Sequence, residues 1–106
     1  MPEVSAIVSI APDHPCLEGH FPGRPIVPAA MLLDLAAELL RSHAGALRLL
    51  GVDQAKFLLP VLPGQPIRLL LNLEHGRAGF RIESPQGLAA AGQLRFSREA
   101  AAGAAP

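Results

Sequence analysis

The sequence has a single cysteine, Cys16, and no C-x-x-C pair, so it predicts neither an internal disulfide nor a cysteine-based metal cluster. Nine basic and nine acidic residues balance to a formal net charge of zero, which argues against the broad basic surface of a nucleic-acid-binding protein. No apolar run reaches the roughly 18 residues of a membrane span, and residues 1–3 lack the basic start of a signal peptide. We therefore expect a cytoplasmic protein with no bound metal.

What the sequence does contain is apolar material. Half of its 106 residues are hydrophobic and 17% are charged, which is enough for one hydrophobic core. A chain of this length fits a single domain, which we assign to residues 1–98, and we expect the alanine-rich residues 99–106 to be a disordered tail. Because a small domain leaves much of its surface exposed, we expect a second copy to cover part of so apolar a chain.

Hydrophobic patterning and turn residues predict one helix and five strands. Alternate residues are apolar over 3–10, which is the period of a half-buried strand. Pro28 suits the first turn of a helix, and residues 29–42 are strong helix formers and largely apolar, which predicts a helix buried on most sides. Period-two patterns predict strands at 67–74 and 78–83. Turn residues beside these patterns delimit two further predicted strands, at 52–59 and 88–97. This order predicts an α+β fold with one helix against an antiparallel sheet.

The predicted helix carries a short polar stripe. Asp34, Glu38 and Arg41 are spaced four and three residues apart, so they share one face of the helix. We interpret Glu38 and Arg41 as a surface pair. Asp34 is surrounded by leucine and alanine in the sequence, and a carboxylate shielded by such neighbours is costly unless it is paired or neutral. We therefore treat Asp34 as a candidate functional residue.

The segment before the helix carries the clearest candidate for a reactive residue. Residues 11–25 contain four prolines and two glycines, which predicts an ordered loop without regular structure. This loop carries His20, whose imidazole exchanges protons near neutral pH. The helix N-terminus that follows offers free N–H groups and a partial positive charge, which stabilise a thioester oxygen as it becomes enolate-like. Removal of a proton next to a carbonyl needs both a base, such as His20, and a group that stabilises the charge on the oxygen, such as this helix N-terminus.

Two blocks of the sequence resemble the signatures of a known enzyme family. Residues 19–29 read G-H-F-P-G-R-P-I-V-P-A, with Asp34 fourteen residues after His20, and residues 55–65 read A-K-F-L-L-P-V-L-P-G-Q. The first block resembles G-H-F-P-G-x-P-I-x-P-G and the second resembles A-K-F-x-x-P-V-x-P-G-D of the 3-hydroxyacyl-ACP dehydratases. The resemblance spans most of residues 12–97.

The resemblance implies a hot-dog fold, in which a curved antiparallel sheet wraps one central helix, and a homodimer or dimer-based assembly. It implies that each active site takes its histidine from one subunit and its acid from the other. His20 would remove the α-proton of a 3-hydroxyacyl thioester carried on acyl carrier protein, and Asp34 would protonate the departing hydroxyl or hold the water that does. The product would be the trans-2-enoyl thioester of fatty acid, polyene or polyketide-type synthesis. No cofactor is implied, because loss of water from a thioester needs no redox partner or metal.

The same resemblance implies that Phe21, Gly23, Pro28 and Ala29 contact the substrate. In the family, a glycine at the position of Ala29 offers its backbone N–H to the thioester oxygen. Alanine keeps this N–H and adds a methyl group. Asp34 stands where the commoner branch of the family has glutamate.

Two other functions stay open on these residues. A hot-dog thioesterase would use an acid and a positioned water to hydrolyse acyl-CoA, and it would not need His20. A non-catalytic acyl-binding subunit, blocked by the methyl group of Ala29, would leave the chemistry to its partner in a heterodimer. The acyl chain length and the choice between carrier protein and coenzyme A are not fixed by the sequence.

Overall fold

A computed structural model of the protein describes residues 3–11, Asp13 and residues 26–98. The elements in chain order are β1 (Glu3–Val8), α1 (Ala29–Ala44), β2 (Leu47–Phe57), β3 (Ile67–Glu74), β4 (Arg77–Ser84) and β5 (Gly87–Arg98). One strand, one helix and four strands therefore follow each other as predicted. The predicted tail at residues 99–106 lies outside the described residues.

The five strands form one antiparallel sheet in the order β1-β3-β4-β5-β2. Short turns at residues 75–76 and 85–86 join β3, β4 and β5, so the centre of the sheet is a meander of neighbours in sequence. β1 and β2, which flank the helix in sequence, occupy the two edges. The architecture confirms the predicted α+β fold of one helix against an antiparallel sheet.

The core lies between α1 and one face of the sheet. The helix packs against β1, β2, β3 and β4, and its buried residues are Leu32, Ala36, Ala37 and Leu40. The facing side chains of the sheet are alternate residues of the central strands, and the largest fully buried ones include Ile67, Leu71, Phe80, Ile82 and Leu94. Burial of each such side chain contributes about 1.5–3 kcal/mol to folding, so this layer supplies most of the driving force.

The structure buries α1 on most sides, as predicted. One face packs against the sheet, and the flanking residues Met31, Leu33, Leu35 and Leu39 are partly buried against the core. A narrow stripe along the helix, formed by Ala30, Asp34, Glu38 and Arg41, is exposed in the single chain. Within the described residues, no helix is long and apolar enough to cross a membrane.

A close approach between three strands shapes the end of the sheet beside β2. A Cβ atom placed on Gly92 would lie 2.8 Å from two ring atoms of Phe80 and 2.9 Å from the Cα atom of Ala55. The register of β2 shifts between Asp53 and Lys56, next to Ala55, and Gln54 has a left-handed φ of 53°. Such a bulge bends a strand. Only glycine at position 92 leaves room for both the Phe80 ring and the bent backbone.

We expect Gly92→Ala to lower the free energy of unfolding by about 1–3 kcal/mol, because a buried ring or a strand backbone must move to admit the methyl group. Gly79→Ala is the matched control, since a Cβ atom on Gly79 meets nothing within 4 Å. Its free energy of unfolding should stay within about 0.5 kcal/mol of the wild type. Denaturant unfolding of both variants is the measurement, and equal losses in the two would contradict the close packing at Gly92.

Candidate active site

The N-terminus of α1 is the part of the site that the structure describes most directly. Pro28 is the N-cap residue, with φ −63° and ψ 148°, and its carbonyl accepts hydrogen bonds from the N–H groups of Met31 and Leu32 at 3.0 and 3.2 Å. Among residues 3–11, 13 and 26–98, the N–H groups of Ala29 and Ala30 have no hydrogen-bond partner and no side chain caps the helix. Two donors at the positive end of the helix dipole are thus left to hold an oxygen that gains negative charge.

An apolar cavity of about 280 Å³, here called the helix-end cavity, adjoins this helix terminus. Residues 26–29, Leu32 and residues 57–61 line it, and all of their side chains are apolar. Three of these residues are almost fully buried and form its floor: Val27 is 3%, Leu32 3% and Val61 1% exposed. An alkyl chain is the kind of ligand that such a lining favours.

The backbone joins the two sequence blocks at this cavity. The N–H of Val27 donates to the carbonyl of Val61 at 2.8 Å, and the N–H of Gly64 donates to the carbonyl of Ile10 at 2.7 Å. The chain is therefore bonded to the second block both before and after the predicted motif loop. The N–H groups of Leu58 and Leu59 donate to the carbonyl of Ala89, at 2.7 and 3.2 Å, which fixes the second block to β5.

Of the predicted site residues that the structure describes, two line the helix-end cavity and one does not. Pro28 and Ala29 both line the helix-end cavity. Asp34 does not line it, because two residues of helix turn Asp34 about 200° around the axis from Leu32. Asp34 is exposed, so the shielded carboxylate expected from the sequence is absent from the single chain. The reason is that the sheet covers the face of α1 that carries Leu32 and leaves the face of Asp34 open.

Three predicted site residues, His20, Phe21 and Gly23, lie outside the described residues. Within the described part of the chain, no group of three histidine, cysteine, aspartate or glutamate residues is placed to hold a metal ion.

Sequence reasoning missed the apolar residues of the cavity. Leu32 follows Pro28 by four residues and Ala29 by three, so helical spacing alone places it on the same face as the first turn. That spacing was the available signal for Leu32. Leu58, Leu59 and Val61 reach the cavity only through tertiary contacts, which no local pattern reveals.

Comparison with known proteins assigns the fold to a class and the chain to a family. A 3-hydroxyacyl-[acyl-carrier-protein] dehydratase FabZ from Haemophilus influenzae is 36% identical over 86 residues, which cover 73% of this chain and 58% of that protein. A chain of the dehydratase heterocomplex ApeI:P from Xenorhabdus doucetiae superposes with a TM-score of 0.84 at 23% identity, covering 91% of this chain and 88% of that one. A hot-dog-like protein from Thermanaerovibrio acidaminovorans superposes with a TM-score of 0.71 at 11% identity, covering 90% and 78%.

The class that the fold defines is that of the hot-dog proteins, which confirms the fold expected from the sequence. The model of the ApeI-like family, described as ApeI dehydratase, matches residues 2–93, and the chain belongs to this family. It spans less than two thirds of the length of the Haemophilus relative.

Proposed function

We propose that the protein dehydrates a 3-hydroxyacyl thioester, carried on acyl carrier protein, to the trans-2-enoyl thioester. One observation carries the proposal: in a chain of a dehydratase family, the N–H of Ala29 stands at a helix terminus beside an apolar cavity. The thioester oxygen accepts from this N–H while the acyl chain enters the cavity. Charge on the oxygen grows as the α-proton leaves, and the helix terminus stabilises it.

His20 and Asp34 are the proposed catalytic pair. The imidazole of His20 takes the α-proton, the bond between the β-carbon and its hydroxyl breaks, and the carboxyl of Asp34 supplies the proton with which the hydroxyl leaves as water. Phe21, Gly23 and Pro28 are proposed to contact the substrate beside them. The balance is one thioester to one enoyl thioester and one water, so no cofactor takes part. A cytoplasmic location and a role in fatty acid, polyene or polyketide-type synthesis belong to the same proposal.

Two copies of the chain are needed for one site on this proposal. Asp34 and the helix-end cavity lie on different faces of α1, so a single copy does not place its own carboxyl at its own cavity. We assign the cavity, Ala29 and His20 to one copy and Asp34 to the other. The exposed face of α1 is then covered by the partner, which supplies the shielding that the single chain lacks.

The β2 edge, formed by Leu47–Phe57, is the proposed contact between the copies. β2 lies at the margin of the sheet, and the backbone groups on its outer side are open to pairing with another strand. Three large apolar residues of this edge are exposed to solvent: Leu50 is 52%, Val52 39% and Phe57 43% exposed. An open edge of this length that exposes three large apolar side chains is an association surface. Antiparallel pairing of two β2 edges continues the sheet across both copies and keeps their helices on the same side of it.

Val52→Glu is expected to raise the dissociation constant of the dimer by about tenfold or more, since the twofold axis brings two like charges into an apolar contact. Ile7→Glu is the matched control, because Ile7 is 73% exposed on β1 at the opposite edge of the sheet. Sedimentation velocity over a range of concentrations measures both. A dimer weakened by Ile7→Glu and not by Val52→Glu would place the contact at the β1 edge instead.

The test of the function is incubation of the purified protein with 3-hydroxyacyl-ACP, followed by mass spectrometry of the carrier-bound product. Loss of one water from the acyl group is the expected result. Release of free 3-hydroxy acid would identify a thioesterase in place of a dehydratase. Absence of turnover on every chain length, with turnover restored by a second hot-dog subunit, would identify a non-catalytic subunit. The same series on coenzyme A tests the proposed carrier.

A further inference from the structure

We propose that Leu32 and Val61, at the floor of the helix-end cavity, set the upper limit of the acyl chain length that this protein accepts. This inference rests on the proposed function, because it takes the thioester oxygen to bind at the N–H of Ala29. It assigns a role in substrate selection to two core residues outside the catalytic pair.

The limit follows from where the cavity ends. Leu32 lies one helical turn beyond Ala29, and it is 3% exposed, while Val61 is 1% exposed. Both belong to the main hydrophobic cluster together with Ile67 and Ala90, so packed side chains stand behind them. The hydrogen bond between the N–H of Val27 and the carbonyl of Val61 ties the floor together at 2.8 Å. An acyl chain that enters beside Ala29 therefore meets a closed end.

The lining of the cavity gives the chemical class of the acyl chain. The lining from residues 57–61 and the helix start offers apolar side chains only, so a chain with a charged or hydroxylated far end would lose its hydration without compensation. The lining thus favours 3-hydroxyacyl groups whose alkyl chain is unsubstituted. Affinity should rise about fourfold per added methylene up to this limit and then stop rising.

Leu32→Ala is the first variant, and it should move the preferred chain length upward by about two to three carbons, because the removed side chain deepens the cavity. Leu40→Ala is the matched control: Leu40 is 0% exposed on the same helix but does not line the cavity, so it loses the same side chain from the core elsewhere. Val61→Ala is a smaller truncation of the same floor and serves if Leu32→Ala does not fold.

Two readouts separate this inference from the proposed function. The first is binding of saturated acyl-pantetheine probes of four to sixteen carbons by isothermal titration calorimetry, and the second is kcat/KM on the matching 3-hydroxyacyl-ACP series. A length limit in binding that moves in Leu32→Ala and not in Leu40→Ala supports the inference even if no dehydration occurs, in which case the proposed function fails. Dehydration with no length limit, or the same shift in both variants, overturns the inference and leaves the proposed function standing.

Discussion

Replacement of His20 by alanine is expected to lower kcat/KM on 3-hydroxyacyl-ACP by about a hundredfold or more, because the α-proton then has no positioned base. Asp34→Asn should cause a loss of similar size, since the amide keeps the shape of the carboxyl but does not donate the proton that the hydroxyl needs. Steady-state formation of the enoyl thioester, followed by mass spectrometry, measures both variants. The loss should fall mainly on kcat, because neither side chain is assigned to the binding of the acyl chain.

The control for Asp34→Asn is Glu38→Gln, which removes a carboxylate one turn further along the same exposed face of α1. Since Glu38 has no role in the proposed reaction and glutamine keeps the shape of its side chain, this replacement should change kcat/KM by no more than about twofold. Equal losses in the two variants would assign the effect to the charge of the helix face as a whole and would remove Asp34 from the catalytic pair. Circular dichroism spectra of both variants should match the wild type, because neither substitution removes a side chain from the hydrophobic core of the chain.

The sequence predicted the central meander well for a physical reason. β3 and β4 bury alternate residues in the core, so their apolar residues recur with period two, and short turns separate β3, β4 and β5. The start of β2 was predicted at residue 52 and lies at Leu47. Apolar residues at 49 and 50 break the alternation, and the structure has a register shift between Leu49 and Gly51 at that point. A bulge of this kind hides a strand from any strict period.

The sequence predicted the features of the candidate site that follow from proline positions and motifs. It did not predict which side chains are buried or line the cavity, because these depend on tertiary packing. Proline spacing placed a helix start near Pro28, and the structure has the N-cap there. The burial of Asp34 was misjudged because apolar neighbours in a helix do not tell which of them face the protein's own sheet. The floor residue Val61 belongs to the second signature block, but it was not predicted to contact the substrate, because the motif does not show which of its apolar residues line a cavity.

The proposed mechanism requires that two copies of the chain share each active site. In one chain, the carboxyl of Asp34 and the helix-end cavity lie on different faces of α1 and do not meet. In the proposed twofold dimer, each helix would present its exposed face to the partner, and the two groups could form one site. If the site is shared in this way, His20 and Asp34 never have to be intact in the same chain.

Mixing His20→Ala with Asp34→Asn, each nearly inactive alone, is therefore expected to restore about a quarter of the wild-type activity after subunit exchange. Random pairing makes half of the dimers mixed, and each mixed dimer has one of its two sites with both residues intact. The control mixes His20→Ala with a chain that carries both substitutions, which leaves no intact site and should restore nothing. Absence of recovery in the first mixture, with exchange verified by native mass spectrometry, would place both residues of a site in one chain. Introduction of Val52→Glu into both chains should abolish the recovery, because the shared site requires the β2 edge to hold the two copies together.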